Sequence, residues 1–154
     1  MAQEIERKFL VRDDTFKTGV TPLFIRQGFI STDKDSVVRV RIYGNRGFLT
    51  LKGSGTGISR TEFEYEIPVE DAHEMLEELC KGPTIEKFRY VIEYEGHTWE
   101  VDEFMRENSG LVIAEIELTH ESEGFLKPPW LGDEVTGDPR YYNANLISNP
   151  FTAW

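Results

Sequence analysis

Apolar and polar residues alternate with a period of two through most of this chain, and turn-forming residues cut the alternation into short lengths. Such lengths predict β-strands, here over roughly 3–11, 23–31, 36–43, 47–53, 60–67, 85–95, 97–104 and 111–119. Gly44-Asn45-Arg46-Gly47 and Glu95-Gly96 are short joins of the hairpin kind. One segment has the helical period instead. Within 69–80, Val69, Ala72, Met75, Leu76, Leu79 and Cys80 share one stripe, and Gly82 followed by Pro83 ends it. A second helix is expected from Arg140, with Asp138 as N-cap and Pro139 at the first helical position. The segment 121–134, with Gly, two prolines and Trp130, reads as a short helical turn plus loop.

No repeat, low-complexity tract or linker divides the sequence, so one domain over 1–154 is expected. Eight mostly adjacent strands with few helices predict a mainly β, α+β fold. The expected form is an eight-stranded antiparallel closed β-barrel with a few flanking helices, because closure removes exposed edges.

Composition narrows the ligand. The 154 residues carry 28 acids against 17 bases, a net charge of −11. No nucleic acid and no membrane partner is expected, and an anionic ligand must meet a local basic cluster or a bound cation. Cys80 is the only cysteine, so no internal disulfide or thiolate zinc site can form. No apolar run approaches the length of a membrane span, and a cytoplasmic location is expected.

The charges are unusual in their sorting. Glu4 and Glu6 share a strand face that continues to Lys8. Arg39 with Arg41, Glu62 with Glu64, Lys87 with Arg89, Glu100 with Asp102, and Glu115 with Glu117 repeat the arrangement, each alternating with apolar residues. Lys52 shares its parity with Thr50 and Phe48. Any one such pair is what a half-buried strand shows to water. The set differs, because acids sit with acids and bases with bases, and like charges on one face need compensation from a neighbouring strand, a cation or a polyanion. Inside a curled sheet, carboxylates suit Mg²⁺ or Mn²⁺. Lysines and arginines suit phosphate oxygens, and the two together suit a chain of phosphates.

Other signals carry less. Gly53-Ser54-Gly55-Thr56-Gly57 lacks the Gly-Lys-Ser/Thr of a phosphate loop and opens no helix, so it reads as a flexible hairpin connection. His73, His97 and His120 show no ligand spacing and are expected at the surface. Cys80 continues the helix stripe and is expected in the core. No nucleophile elbow is present.

In these features the chain resembles the CYTH superfamily, also called triphosphate tunnel metalloenzymes. Glu4-x-Glu6-x-Lys8 matches the ExExK strand of that family. Arg39-x-Arg41, Lys52, Glu62-x-Glu64, Lys87-x-Arg89, Asp102 and Glu115-x-Glu117 follow in order. Asp138-Pro139-Arg140-Tyr141-Tyr142-Asn143 is similar to the ending of short bacterial members. The resemblance implies a barrel whose charged interior binds a triphosphate with divalent metal, Mg²⁺ or Mn²⁺, two ions being expected. It implies Lys8, Arg39, Arg41, Lys52, Lys87 and Arg89 as phosphate ligands. It implies Glu4, Glu6, Glu115 and Glu117 as the main metal ligands, with Glu62, Glu64 and Asp102 supporting them or completing a second site. Glu4, Glu6, Lys8 and Lys52 are the expected catalytic group.

The implied reaction is hydrolysis of the terminal phosphoanhydride of inorganic triphosphate, a small-molecule substrate. The alternatives are a class IV-type adenylate cyclase, a nucleoside or thiamine triphosphatase, and last a non-catalytic polyphosphate-binding module. Phe29 stands where many related chains carry tyrosine, and Pro139 where a lysine is common. A homodimer is the family-level expectation.

Overall fold

The computed structural model describes residues 3–56 and 58–154. Gly57, the end of the glycine-rich hairpin connection, lies outside the described residues. The strands are β1 (Gln3–Val11), β2 (Leu23–Ser31), β3 (Ser36–Tyr43), β4 (Arg46–Thr56) and β5 (Ser59–Ile67), then β6 (Ile85–Tyr94), β7 (His97–Phe104), β8 (Val112–Glu117) and β9 (Leu131–Glu134). The α-helices are α1 (Val69–Glu78) and α2 (Asn143–Ser148). Every pairing is antiparallel, in the order β5-β4-β3-β2-β6-β7-β8-β1-β9, and β5 pairs back onto β1. Eight strands therefore close as expected, with β9 outside the ring. Two of the tight hairpins turn on Gly44-Asn45, between the partners Tyr43 and Arg46, and on Glu95-Gly96, between Tyr94 and His97.

The barrel is packed inside out. Ile5, Phe9, Trp99, Val101, Ala114 and Ile116 point outward and are buried beneath Phe16, Trp130 and Leu131. Phe9, Phe125 and Trp130 meet the Trp99 ring edge-on at centroid distances of 5.6–5.9 Å. On the other flank, Ala72 and Leu76 of α1 cover Val40 and Ile42. That helix lies close because Gly47 has no side chain: a Cβ there would sit 2.9 Å from the Ala72 Cβ. With apolar surface buried outside the wall, the inward face is free to be polar.

Three expectations are corrected. The loop read over 121–134 ends in β9, which joins the free edge of β1 beyond Phe9; Gly132 allows this, since a Cβ would stand 3.0 Å from the Leu10 carbonyl oxygen. The helix expected from Arg140 is only a 3-10 turn, Pro139–Tyr141, with the Asp138 carboxylate accepting from the Arg140 N–H. Tyr142 is extended (φ −70°, ψ 129°), so α2 starts afresh at Asn143. His97 is half-buried rather than exposed, packed on Phe125 with Nε2 2.7 Å from Glu123 Oε2. His73 and His120 are exposed, as expected. Among the described residues no helix is long and apolar enough to cross a membrane.

Candidate functional site

Strand alternation turns Glu4, Glu6 and Lys8 of β1 into a cavity of about 1000 Å³ along the barrel. The same geometry brings Arg39 and Arg41 of β3, Lys52 of β4, Glu62 and Glu64 of β5, Lys87 and Arg89 of β6, and Glu115 and Glu117 of β8 to its wall. Glu100 of β7 joins them. Asp102 does not line the cavity: it is 1% exposed, and both oxygens are held by cations.

The strand order sorts these charges into two walls. β5, β1, β8 and β7 are contiguous around the ring and carry the acids, while β4, β3, β2 and β6 are contiguous and carry most of the bases, with Lys8 of β1 and Arg60 of β5 as bases on the acidic side. The walls meet at two seams, and there the charges pair. At the β4/β5 seam, Lys52 Nζ lies 3.4 Å from Glu62 and also 2.9 Å from Glu4 on β1, and Arg39 lies 3.3 Å from Glu64. At the β6/β7 seam, Asp102 binds Lys87 at 2.7 Å and Arg89 at 2.8 and 2.9 Å, and Arg89 reaches Glu100 at 3.2 Å.

The wall centres are left uncompensated. Among the described residues no carboxylate comes within 4.0 Å of Arg41, whose Nε donates instead to the neutral Gln27 Oε1 at 2.9 Å. Burial, with Arg39 and Arg89 as like-charged neighbours, pushes Arg41 down to about 9. Burial lowers the Arg39 guanidinium as well, and its Nε is buried without a partner. Burial pushes Lys87 down to about 7, against the pull of Asp102. Burial alone would raise Asp102, yet Arg89 and Lys87 outweigh it and hold the carboxyl well below the usual range. Arg89 takes both oxygens of Asp102, so the carboxylate is strongly stabilised while Lys87 stays depressed.

Across the tunnel, burial and the neighbouring Glu6 raise Glu115, while burial and Glu100 raise Glu117. Burial lowers Lys8, but Glu115, Glu6 and Glu4 outweigh it and leave it raised. Among the described residues no three acids already converge into a formed metal site. The donor set nonetheless fits a hard divalent cation: Glu6, Glu115 and Glu117 are carboxylates facing one cavity, and the two raised ones show the repulsion such an ion would relieve.

Reasoning on charge alone missed several residues of the site. Gln27 has inward parity on β2 but no charge, and Thr50 joins Arg39 to Glu64 through hydrogen bonds of 3.2 and 2.7 Å. Tyr142 and Asn143 enter from the C-terminal segment, where no alternation marks them. Asn143 Oδ1 accepts from Lys87 at 2.9 Å, and Lys8 Nζ sits 5.4 Å from the Tyr142 ring centroid. Their one signal was the Asp138–Asn143 stretch.

Comparison with known proteins agrees with this geometry. The chain is 58% identical to an inorganic triphosphatase of Acetivibrio thermocellus over 98% of its own length and 97% of the relative's. It is 42% identical to an inorganic triphosphatase of Nitrosomonas europaea, covering 93% and 95%. A solved structure of an inorganic triphosphatase superposes with a TM-score of 0.66 at 37% identity, over 93% of this chain and 96% of that one. Residues 2–145 match the CYTH domain family. The chain belongs to the CYTH domain family.

Proposed function

We propose that this chain hydrolyses the terminal phosphoanhydride bond of inorganic triphosphate in its tunnel, with a divalent cation as cofactor. One observation carries the reading: ion pairs close both seams, while the basic wall keeps Arg41, and an unpartnered Arg39 Nε, facing a wall of mutually repelling carboxylates. A buried cation without a counter-charge is costly unless an anion completes it. Phosphate oxygens suit the basic wall, and the carboxylates of the other would suit a divalent cation.

In this reading Arg39, Arg41, Lys87 and Arg89 hold the phosphates along the basic wall, Lys52 works at its seam and Lys8 opposite. Glu4, Glu6, Glu115 and Glu117 would hold the metal, which supplies charge for the phosphate oxygens and acidifies a nearby water. A carboxylate of the acidic wall takes that water's proton as its oxygen bonds to the terminal phosphorus. The bond to the bridging oxygen breaks, and the basic wall stabilises the charge gathering on the departing pyrophosphate. Asp102 is assigned a positioning role, holding Lys87 and Arg89. A single domain, a cytoplasmic location and a homodimeric state belong to the same reading, tested by limited proteolysis, cell fractionation and light scattering.

The test is product analysis with Mg²⁺ or Mn²⁺ on tripolyphosphate and, separately, ATP. Phosphate plus pyrophosphate from tripolyphosphate is expected. Cyclic AMP from ATP, or binding without turnover, would overturn it.

A further inference from the structure

Two polar side chains at the middle of the basic wall, Gln27 and Asn143, make contacts that the phosphate reading alone does not explain. Gln27 is fully buried on β2, between the arginine strand β3 and the Lys87 strand β6. Its Oε1 accepts from Arg41 Nε at 2.9 Å, and its Nε2 donates to Asn143 Oδ1 at 2.8 Å. The same Asn143 oxygen accepts from Lys87 Nζ at 2.9 Å. The amide orientations are fixed by the donors around them. A guanidinium and an ammonium can only donate, so Gln27 must offer its oxygen to Arg41 and Asn143 must offer its oxygen to Lys87.

We infer that Gln27 and Asn143 are positioning residues: an uncharged amide pair that holds Arg41, and Lys87 beside its one carboxylate partner Asp102, in place without adding negative charge. This rests on the reading of Arg41 and Lys87 as phosphate ligands. The contrast lies within the same tunnel. At the seams the acceptors for cations are carboxylates, and Arg89 with Asp102 and Glu100 is neutralised by them. At the centre the acceptor of Arg41 is the Gln27 amide, and Lys87 has the Asn143 amide beside Asp102; an amide orients a donor through a dipole and leaves the charge for an incoming anion.

The pair also makes the C-terminal segment part of the site. Asn143 opens α2, and its neighbours Tyr141 and Leu146 are buried against Ile85, Phe104 and Ile113 at that end of the barrel. Phe104 and Ile113 continue the inward faces of β7 and β8 beyond Asp102 and Glu115. The inward face therefore turns apolar where the segment docks, and the docking sets the Asn143 amide at the tunnel wall.

The test uses Asn143→Asp, Gln27→Glu and Asn143→Ala in the full chain. Tripolyphosphate affinity is measured calorimetrically without metal, beside thermal unfolding, and KM and kcat are measured with Mg²⁺. The acidic variants differ from wild type by one charge in nearly the same shape. Each is expected to bind tripolyphosphate about 30-fold or more weakly, to raise KM, and to unfold at or above the wild-type temperature. Asn143→Ala is expected to unfold earlier and to bind less than tenfold more weakly. A purely structural role gives the reverse order, with affinity following thermal stability and alanine the worst variant; that order overturns the inference. So does wild-type affinity in both acidic variants. If one acidic variant does not fold, the other decides. Lys87→Gln and Arg41→Gln separate the two ideas. Wild-type affinity in both of these removes the phosphate reading, whereas their loss beside unaffected acidic variants removes only the amide pair.

Discussion

Replacing Arg41 by methionine should stabilise the empty protein and weaken its hold on triphosphate. The magnitude follows from its surroundings. Burial, then the Arg39 and Arg89 charges, push the guanidinium from the ordinary arginine range down to about 9. At ~1.4 kcal/mol per tenfold change, keeping Arg41 charged in the empty tunnel costs about 5 kcal/mol. Methionine removes that cost and fills similar volume. It also strips Gln27 Oε1 of its 2.9 Å donor, a buried loss of about 1–3 kcal/mol. The net gain is about 2–4 kcal/mol, or roughly 4–16 °C in Tm for a chain of this size.

Binding moves the other way. Two charge-assisted hydrogen bonds to phosphate oxygens are worth about 2–4 kcal/mol beyond solvent, so Kd rises about 30- to 700-fold. Scanning calorimetry with and without tripolyphosphate reads both effects in one assay. Ligand at 100 times the wild-type Kd stabilises wild type by about 2.7 kcal/mol. At the same concentration, a variant weakened 100-fold gains only about 0.4 kcal/mol. A folded Arg41→Met variant that melts below empty wild type refutes the uncompensated charge. Equal ligand-induced shifts in the two proteins refute the phosphate contact.

Three further outcomes follow from the same electrostatics and packing. Burial holds Lys87 below the usual lysine range in the empty tunnel, and a bound polyanion raises it again. Calorimetry in buffers of different ionisation enthalpy should show net proton uptake on binding, reduced in Lys87→Gln; no uptake in wild type would contradict the depressed ammonium. Glu115 and Glu117 have folded pKa values above their unfolded ones, so their stabilising protons are present below the unfolded values and lost as pH rises through the folded values. Metal-free protein should therefore melt higher at about pH 5 than at pH 7, and Mg²⁺ should erase or reverse the difference; a flat or opposite metal-free trend counts against the repelling wall. Trp99→Ala, cut from a fully buried ring between Phe9, Phe125 and Trp130, should cost about 3–5 kcal/mol in denaturant unfolding; a loss under about 1 kcal/mol would mean the outer core does not hold the wall.

The wall itself was legible because a strand gives every second residue to one face. Once Glu4, Glu6 and Lys8 shared a parity, their common exposure to the tunnel needed only closure of the sheet. Residues placed by tertiary contact were not legible in the same way. β9 forms where Gly132 lets the chain approach Leu10, which no pattern over 121–134 encodes. Asn143 reaches Lys87 because Tyr142 stays extended and Tyr141 and Leu146 dock on Phe104 and Ile113. His97 is drawn inward by Phe125 and Glu123, residues more than two dozen positions away.

Topology, more than parity, decides what the charges can do. In chain order the basic strand β6 falls between the acidic strands β5 and β7. A simple up-and-down ring would give Lys87 and Arg89 carboxylates on both sides. The observed order instead carries β6 across to β2, with α1 as the crossing that packs over β4, β3 and β2. That transfer joins the bases into one wall and leaves only two seams. Gln27, on the strand that receives β6, then lies between Arg41 and Lys87 rather than beside an acid. Arg41, at the centre of the basic wall, stays uncompensated because the chain crosses over there, and the close fit of Gly47 against Ala72 brings the crossing helix onto the wall.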